Sequence, residues 1–290
     1  MAELRELQRK LESIRSLQDV VNAMRNLAAV YVRRAEGALD AIRPYADIVT
    51  TALSETLERP EVERTEPSEE ARCLAVVFAG DQGLAGSYND RIVTAAREFR
   101  EQTAGPVDIF CIGLRGANLL EMRGVRPVGA TRTPSSLEGI ESRMPELAAR
   151  IFELYRDCGA EQMYFVYTFY ESMGRFDERV RRIVPPVREA LRPGLERRFS
   201  YQPILTAPPS ELLPHLIEEY FFVELYRSLL ESHASENGAR LTAMTSAATN
   251  VEDRLEDLQQ QYQHVRQESI TSELMDVVSG AEAQSKDDRQ

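Results

Sequence analysis

Two apolar seams, one at each end of the chain, constrain its fold more than anything between them. In Leu241–Thr271, LTAMTSAATNVEDRLEDLQQQYQHVRQESIT, the residues Leu241, Met244, Ala248, Val251, Leu255, Leu258, Tyr262 and Val265 recur in alternating steps of three and four. That spacing keeps one side of a helix turned toward a facing helix, as in a coiled coil. From Leu4 a second seam runs through Leu7, Leu11, Ile14, Leu17, Val21, Met24, Ala28, Tyr31, Ala35, Ala38, Ile42, Tyr45, Val49 and Leu53. It persists for about seven heptads, well past the length of an ordinary globular helix. Residues 3–57 as one helix would reach roughly 80 Å.

The simplest partner for each seam is the other, which predicts an antiparallel pair of end segments with a domain between them. Two alternatives share the pattern: each seam packs on its own globular core, or the chain forms a parallel homodimer. For the antiparallel pair, matched seam lengths predict Met24 near Leu258 or Tyr262–Val265. Pro44 predicts a bend or the end of a turn, and Gly37 costs about 1 kcal/mol relative to alanine. At the other end, Ser210 can cap a helix with Pro214 in its first turn and Gly280 at its exit. The upper seam is rich in small residues, Ala243, Ala247 and Ala248 among Thr242, Thr245, Ser246 and Thr249. Small residues let backbones approach closely, so the pair should be a slim rod suited to insertion into something else.

Between the seams the period changes. RCLAVVFA (72–79), VDIFCIG (107–113) and MYFVYTFY (163–170) are short apolar runs of buried-strand type. A helix should follow the first run from about Asp90, and another should cover Leu137–Asp157. Arg179–Val184 reads as a strand paired with 163–170 across the turn ESMGRF. The alternation predicts a partly parallel sheet with helices on its faces. The fold class is therefore α/β: a long antiparallel two-helix coiled coil plus a central Rossmann-like domain. The expected divisions are 1–58, 71–192 and 210–283, followed by a polar tail, 284–290, that should be disordered or without a functional role.

Several functions are disfavoured on chemical grounds. The glycines of GDQGLAGSYND (80–90) are spaced GxxGxxG, without the GxGxxG pattern or a phosphate-binding lysine. Asp81 would repel phosphate. His215, His233 and His264 lack metal-ligand spacing, and three cysteines without a CxxC pair read as buried reduced thiols. No catalytic, cofactor-binding or metal-binding residue is nominated. A net charge of −12 argues against broad binding to nucleic acid or anionic lipid. No run of about 18 apolar residues exists to span a bilayer. The N-terminus resembles neither a signal nor a transit peptide, which suggests a cytoplasmic chain.

The two ends also carry a family resemblance. The run ASENGARLTAMTSAATNVEDRLEDLQQQYQHVRQESITSELMDVVSG (234–280) resembles the most distinctive block of the gamma subunit of F-type ATP synthases. The matching positions include Glu236, Arg240, Met244, Asn250, Tyr262, Arg266, Gln267, Thr271, Leu274 and Gly280. NAMRNLAAVYVRRAEGALDAIRPYAD (22–47) is similar to that family's first helix, including Met24, Arg33, Arg34 and Pro44, and DQGLAGSYN (81–89) resembles its DRGLCGGLN loop. The resemblance implies a rotor shaft without chemistry of its own. Its two end helices would lie inside a hexamer of alpha and beta subunits, and its α/β domain, with an epsilon subunit, would sit on a membrane c-ring. It implies a beta-subunit contact at Arg266, Gln267 and Thr271 and a neck at Met24, Arg33 and Arg34. The chain would be peripheral at the cytoplasmic face of the plasma membrane. Departures at Asp19, Asn22, Arg25 and Asn26, at Gly86–Ser87–Tyr88 and in the terminal QSKDDRQ suggest a divergent branch, with the alternative sodium-coupled F-type ATPases as one candidate. Two rival classes are a nucleotide-binding α/β enzyme and a static homodimeric scaffold.

Overall fold

A computed structural model describes residues 2–62, 67–172, 174–187, 191, 205 and 207–287. In chain order its elements are α1 (Ala2–Leu57), β1 (Cys73–Phe78), α2 (Tyr88–Gln102), β2 (Val107–Ile112) and α3 (Leu114–Met122). There follow β3 (Gly129–Thr131), α4 (Leu137–Asp157), β4 (Gln162–Ser172), β5 (Arg175–Val184) and α5 (Pro209–Asp287). The chain divides into two compact units: Met1–Leu27 with Ala243–Gln290, and Ala28–Thr242.

The first unit is a helix pair. Leu11 packs with Val251, Leu255 and Leu258, flanked by Leu7, Ile14 and Tyr262. Val21 packs with Met244 and Ala248, flanked by Met24, Ala243 and Ala247. Moving up α1 therefore means moving down α5, and the pair is antiparallel as the seams predict. The expected register is not. Met24 lies among Ala243, Met244, Ala247 and Ala248, not beside Leu258 or Tyr262–Val265. Matching the seams by length ignored side-chain volume. The larger Val21 and Met24 fill the space that α5 leaves opposite its alanines, and this sets the pairing about two heptads away.

The buried stripe of α1 also differs in detail. Leu17 is 47% exposed, and the contact passes through half-buried Gln18. In the second unit Val32 and Ala46 are buried where the sequence nominates Tyr31 and Tyr45. Both readings obey a 3.5-residue step, because α1 carries more apolar side chains than its neighbours cover. Pro44 neither ends nor interrupts the helical assignment, which runs on to Leu57.

The second unit is a three-layer α/β domain. Its sheet has the order β3-β2-β1-β4-β5; the first four strands are parallel and β5 is antiparallel to β4. Side chains alternate across it. Leu74, Val76, Phe78, Phe110, Ile112, Met163 and Phe165 face one core, closed by Ile140, Leu147 and Ile151 of α4, Val49 and Leu53 of α1, and Tyr220, Phe221 and Leu225 of α5. Ala75, Val77, Ile109, Cys111 and Val166 face the other, covered by Ile92, Val93 and Ala96 of α2 and Ala117 and Leu120 of α3. Two covered faces explain why β1 reads as an uninterrupted apolar run.

Helix α4 matches its expected bounds, and Ser136 caps it by accepting a hydrogen bond from the Gly139 N–H at 3.1 Å. Helix α2 begins at Tyr88, two residues before the expected start. The sequence reading omitted α3 and β3, which are too short for a period to show. β5 begins at Arg175, four residues earlier than expected, with a left-handed Gly174 (φ 77°) in the turn before it. Helix α5 runs from Pro209 to Asp287. Its last turns include residues 284–287, which the sequence reading gave to a polar tail, disordered or without a functional role; residues 288–290 lie outside those described.

Candidate functional site

Three places were singled out by sequence: the glycine loop after β1, the run Arg266–Thr271 on α5, and Met24, Arg33 and Arg34 on α1. The glycine loop lies where doubly wound sheets bind ligands, at the carboxyl end of β1 between strands leading in opposite directions. Here its polar groups are turned inward. The Gly80 N–H donates to Asn89 Oδ1 at 2.8 Å, and the Leu114 N–H at the start of α3 donates to Asp81 Oδ1 at 2.6 Å. The Thr133 hydroxyl donates to the Ala79 carbonyl at 2.7 Å. A phosphate would seek these backbone donors at helix starts, and a carboxamide and a carboxylate of the chain itself already hold them. Asp81, read as a repellent to phosphate, instead holds the first backbone N–H of α3, whose N-cap residue is Gly113. Leu84 and Gly86 adopt left-handed backbone (φ 63° and 54°), which turns the loop back toward α2.

The crevice above β1 is closed by α5. A Cβ at Gly80 would lie 2.8 Å from the Glu236 carboxyl carbon, so a larger residue there would displace the end of that side chain. Glu236 accepts from Arg240 Nη2 at 2.6 Å, and Arg240 Nη1 donates to Asn237 Oδ1 at 2.9 Å. Asn237 Nδ2 donates to the His233 carbonyl at 2.9 Å, and the His233 ring stands edge-on to Tyr31 at 5.6 Å. Burial raises the Glu236 carboxyl above its usual range, against the opposing pull of Arg240. Burial, with the nearby Arg240 charge, lowers His233 to about 4 and keeps it neutral.

A second buried polar group sits farther down α5. Arg181 Nη1 of β5 donates to Glu224 Oε2 at 2.8 Å, and Arg227 Nε donates to Glu231 Oε1 at 2.8 Å. Sequence reasoning nominated Glu236 and Arg240 only as family matches and missed Glu224, Arg227 and Glu231. Their one available signal was an acid–base–acid spacing of three and four, which puts all three on one helix face.

The other nominated residues are on the surface. Arg266, Gln267 and Thr271 are exposed, and the Thr271 hydroxyl donates back to the Gln267 carbonyl at 2.9 Å. Past half-buried Val265, α5 also exposes Ile270, Leu274, Met275 and Val278. Met24 is half-buried in the seam. Arg33 is exposed, and Arg34 reaches Glu138 at 3.5 Å. The structure thus gathers Arg266, Gln267 and Thr271 on one stretch of helix, while Met24 belongs to the first unit and Arg33 and Arg34 to the second. Among the described residues no helix is long and apolar enough to cross a membrane, and no cluster of three or more His, Cys, Asp or Glu side chains is arranged to hold a metal. Cys111 is buried, and burial pushes its thiol up to about 12.

The sequence profile of the ATP synthase family matches residues 3–284. The chain is 33% identical over 293 residues to the ATP synthase gamma chain of Solibacter usitatus, a match spanning 98% of this chain and 99% of that one. It is 29% identical to the ATP synthase gamma chain of Moorella thermoacetica, again over 98% of this chain and 99% of the relative. Among solved structures, the rotor of the Euglena gracilis mitochondrial ATP synthase contains a chain that superposes with a TM-score of 0.63 at 15% identity. The match covers 93% of this chain and 99% of that one. At that identity the likeness is one of fold.

Proposed function

Because this chain belongs to the ATP synthase gamma-chain family, we propose that it is the central rotor shaft of a rotary ATP synthase and a non-catalytic subunit of that complex. The paired helices of the first unit stand inside the ring of alpha and beta subunits. The α/β domain, with an epsilon subunit, rides on the membrane c-ring at the cytoplasmic face. Ion flow turns the ring and the shaft with it. At each angle the shaft presents different side chains to each beta subunit and so favours a different conformation at each catalytic site. This is coupling through differential contact, and without a difference in contact no site would be shifted.

The observation that carries this reading is α5 beyond Tyr262. Past half-buried Val265 the helix exposes Ile270, Leu274, Met275 and Val278 in the same turns as Arg266, Gln267 and Thr271. Apolar side chains at such density on a bare helix call for a surrounding surface. Arg266 and Gln267 add donors directed at a carboxylate or carbonyl on a beta-subunit loop, and charge-assisted bonds of this type contribute about 1.5–3 kcal/mol. Met24, Arg33 and Arg34 mark the neck.

The test replaces Arg266 and Gln267 together by alanine in the complex reconstituted with alpha and beta subunits. ATP turnover or assembly should fall, and wild-type values for both would remove these residues from the contact. Should the wild-type chain fail to join alpha and beta subunits and instead run as a stable homodimer by light scattering, the shaft reading itself is lost.

A further inference from the structure

The run of α5 from Ser228 to Gly238 is buried at every position, yet it holds Ser228, Glu231, Ser232, His233, Ser235, Glu236 and Asn237. A helix enclosed on all sides is ordinarily apolar all round. Enclosed polar groups cost desolvation unless each finds a partner, and here the main partners are specific. Glu224 is held by Arg181 of β5 and Glu231 by Arg227. The Ser232 hydroxyl lies 3.5 Å from the Thr168 N–H of β4. Glu236, bound to Arg240, sits against Gly80 at the end of β1. On the side of the loop before β5, a Cβ at Gly174 would lie 2.8 Å from the Thr242 hydroxyl oxygen. At about 100° per residue, Glu224 and Glu236, which meet β5 and the end of β1, point roughly 120° apart around the helix axis. The polar contacts therefore engage the domain from more than one side.

We propose that this buried polar run is a rotational key, which fixes the angle and axial register of α5 within the α/β domain so that torque entering the domain turns the helix without slip. The argument is one of degeneracy. Leucine and phenylalanine in an apolar sleeve can exchange places after a rotation of one residue or a slide of one turn, at modest cost. Glu224 cannot: displaced by one residue it leaves Arg181 of β5, and a buried ion pair is broken, which is how buried polar groups fix register in helical assemblies. Glu231 and Glu236 carry their arginines with them on α5, and Glu236 holds register through its seat against Gly80. Gly80 sharpens the fit, because a side chain there would push the Glu236 carboxyl from its seat at the end of β1. The key rests on the shaft reading for its purpose and on the contacts alone for its existence.

The experiment combines a trap for register with a measurement of coupling. Cysteines at Thr168→Cys and Ser232→Cys should form a disulfide in the otherwise unchanged chain, while Thr168→Cys with Ser228→Cys or with Ser235→Cys should not. The key is then removed as neutral pairs, Arg181→Met with Glu224→Met and Glu236→Met with Arg240→Met. In that variant disulfides from position 168 to 228 or 235 should appear, and the assembled complex should lose ATP-driven ion pumping while it retains hydrolysis. A trap still confined to position 232, with pumping intact, overturns the proposal. If the fourfold variant does not fold, the Arg181→Met/Glu224→Met pair alone carries the same two readouts and is judged by the same outcomes. The disulfide pattern is read on the isolated chain as well, so failure to assemble with alpha and beta subunits counts against the shaft reading and not against the key.

Discussion

Helix α5 solves two packing problems along its length, and the contrast between them is instructive. From Ala243 to Val265 it buries one stripe and exposes the rest. From Ser228 to Gly238 it is buried on every side. The first stretch is periodic and its charged residues stand in water. The second is aperiodic and its charged residues are enclosed. Composition alone does not separate the two, since both are rich in small and polar residues. What separates them is whether each charge has a partner at a fixed distance.

That contrast can be broken first at Arg240. Arg240→Met leaves Glu236 buried without its cation, and removal of one member of a buried pair costs about 3–5 kcal/mol. Urea unfolding followed by circular dichroism should show a loss of that size, and a loss below about 1 kcal/mol would mean that solvent reaches Glu236.

His233 should contribute nearly as much through pH. Its folded value is lowered to about 4 from an unfolded value near 6.5. Its contribution is therefore fully present above about 6.5 and is lost as pH falls toward 4, by about 3 kcal/mol. Glu231 and Glu236 titrate in the opposite sense: their folded values are raised, so their contributions are greatest at low pH and fade as pH rises. The difference between wild type and His233→Phe, measured from pH 7 to pH 4, isolates the histidine. A flat difference would show that the ring accepts a proton without leaving its site.

In the periodic stretch, Leu255→Ala should cost about 2–3 kcal/mol by removing volume from the Leu11, Val251 and Leu258 contact. The smallest effect belongs to Arg254, whose pair with Asp257 spans 3.9 Å with both side chains largely exposed. Arg254→Met should change stability by less than about 0.5 kcal/mol. Equal losses at Arg254 and Arg240 would erase the distinction between the two stretches.

Legibility in the sequence followed the same division. The seams announced a long antiparallel pair, because Leu11, Val251, Leu255 and Leu258 repeat at a period that only a facing helix explains. The strands β1, β2 and β4 were visible because two covered faces demand unbroken apolar runs. The pairing register was not legible, since it depends on Val21 and Met24 finding space opposite alanines, a matter of volume and not of period. α3 escaped notice because nine residues give a period too little room. The site was legible in part. Arg266, Gln267 and Thr271 could be nominated through resemblance, and their exposure is what the structure adds. Glu224, Arg227 and Glu231 look from sequence like any solvated helix face. Only the neighbouring Arg181 on β5, more than forty residues away in the chain, marks them as interior.

β5 has a consequence of another kind. Among the described residues it ends the sheet, and a strand that ends a sheet offers its backbone as a template on which a second molecule can add a strand. Its sequence, RFDERVRRIV, places Arg175, Asp177, Glu178, Arg179, Arg181 and Arg182 along that margin. An incoming strand would have to strip water from several of these charges before forming one new hydrogen bond. At the opposite margin β3 has only three residues, too few to nucleate such an addition. The sheet is thus guarded against fibre-like self-association at one border by charge and at the other by brevity, and threonines at Arg175 and Arg179 would lower the first of those guards.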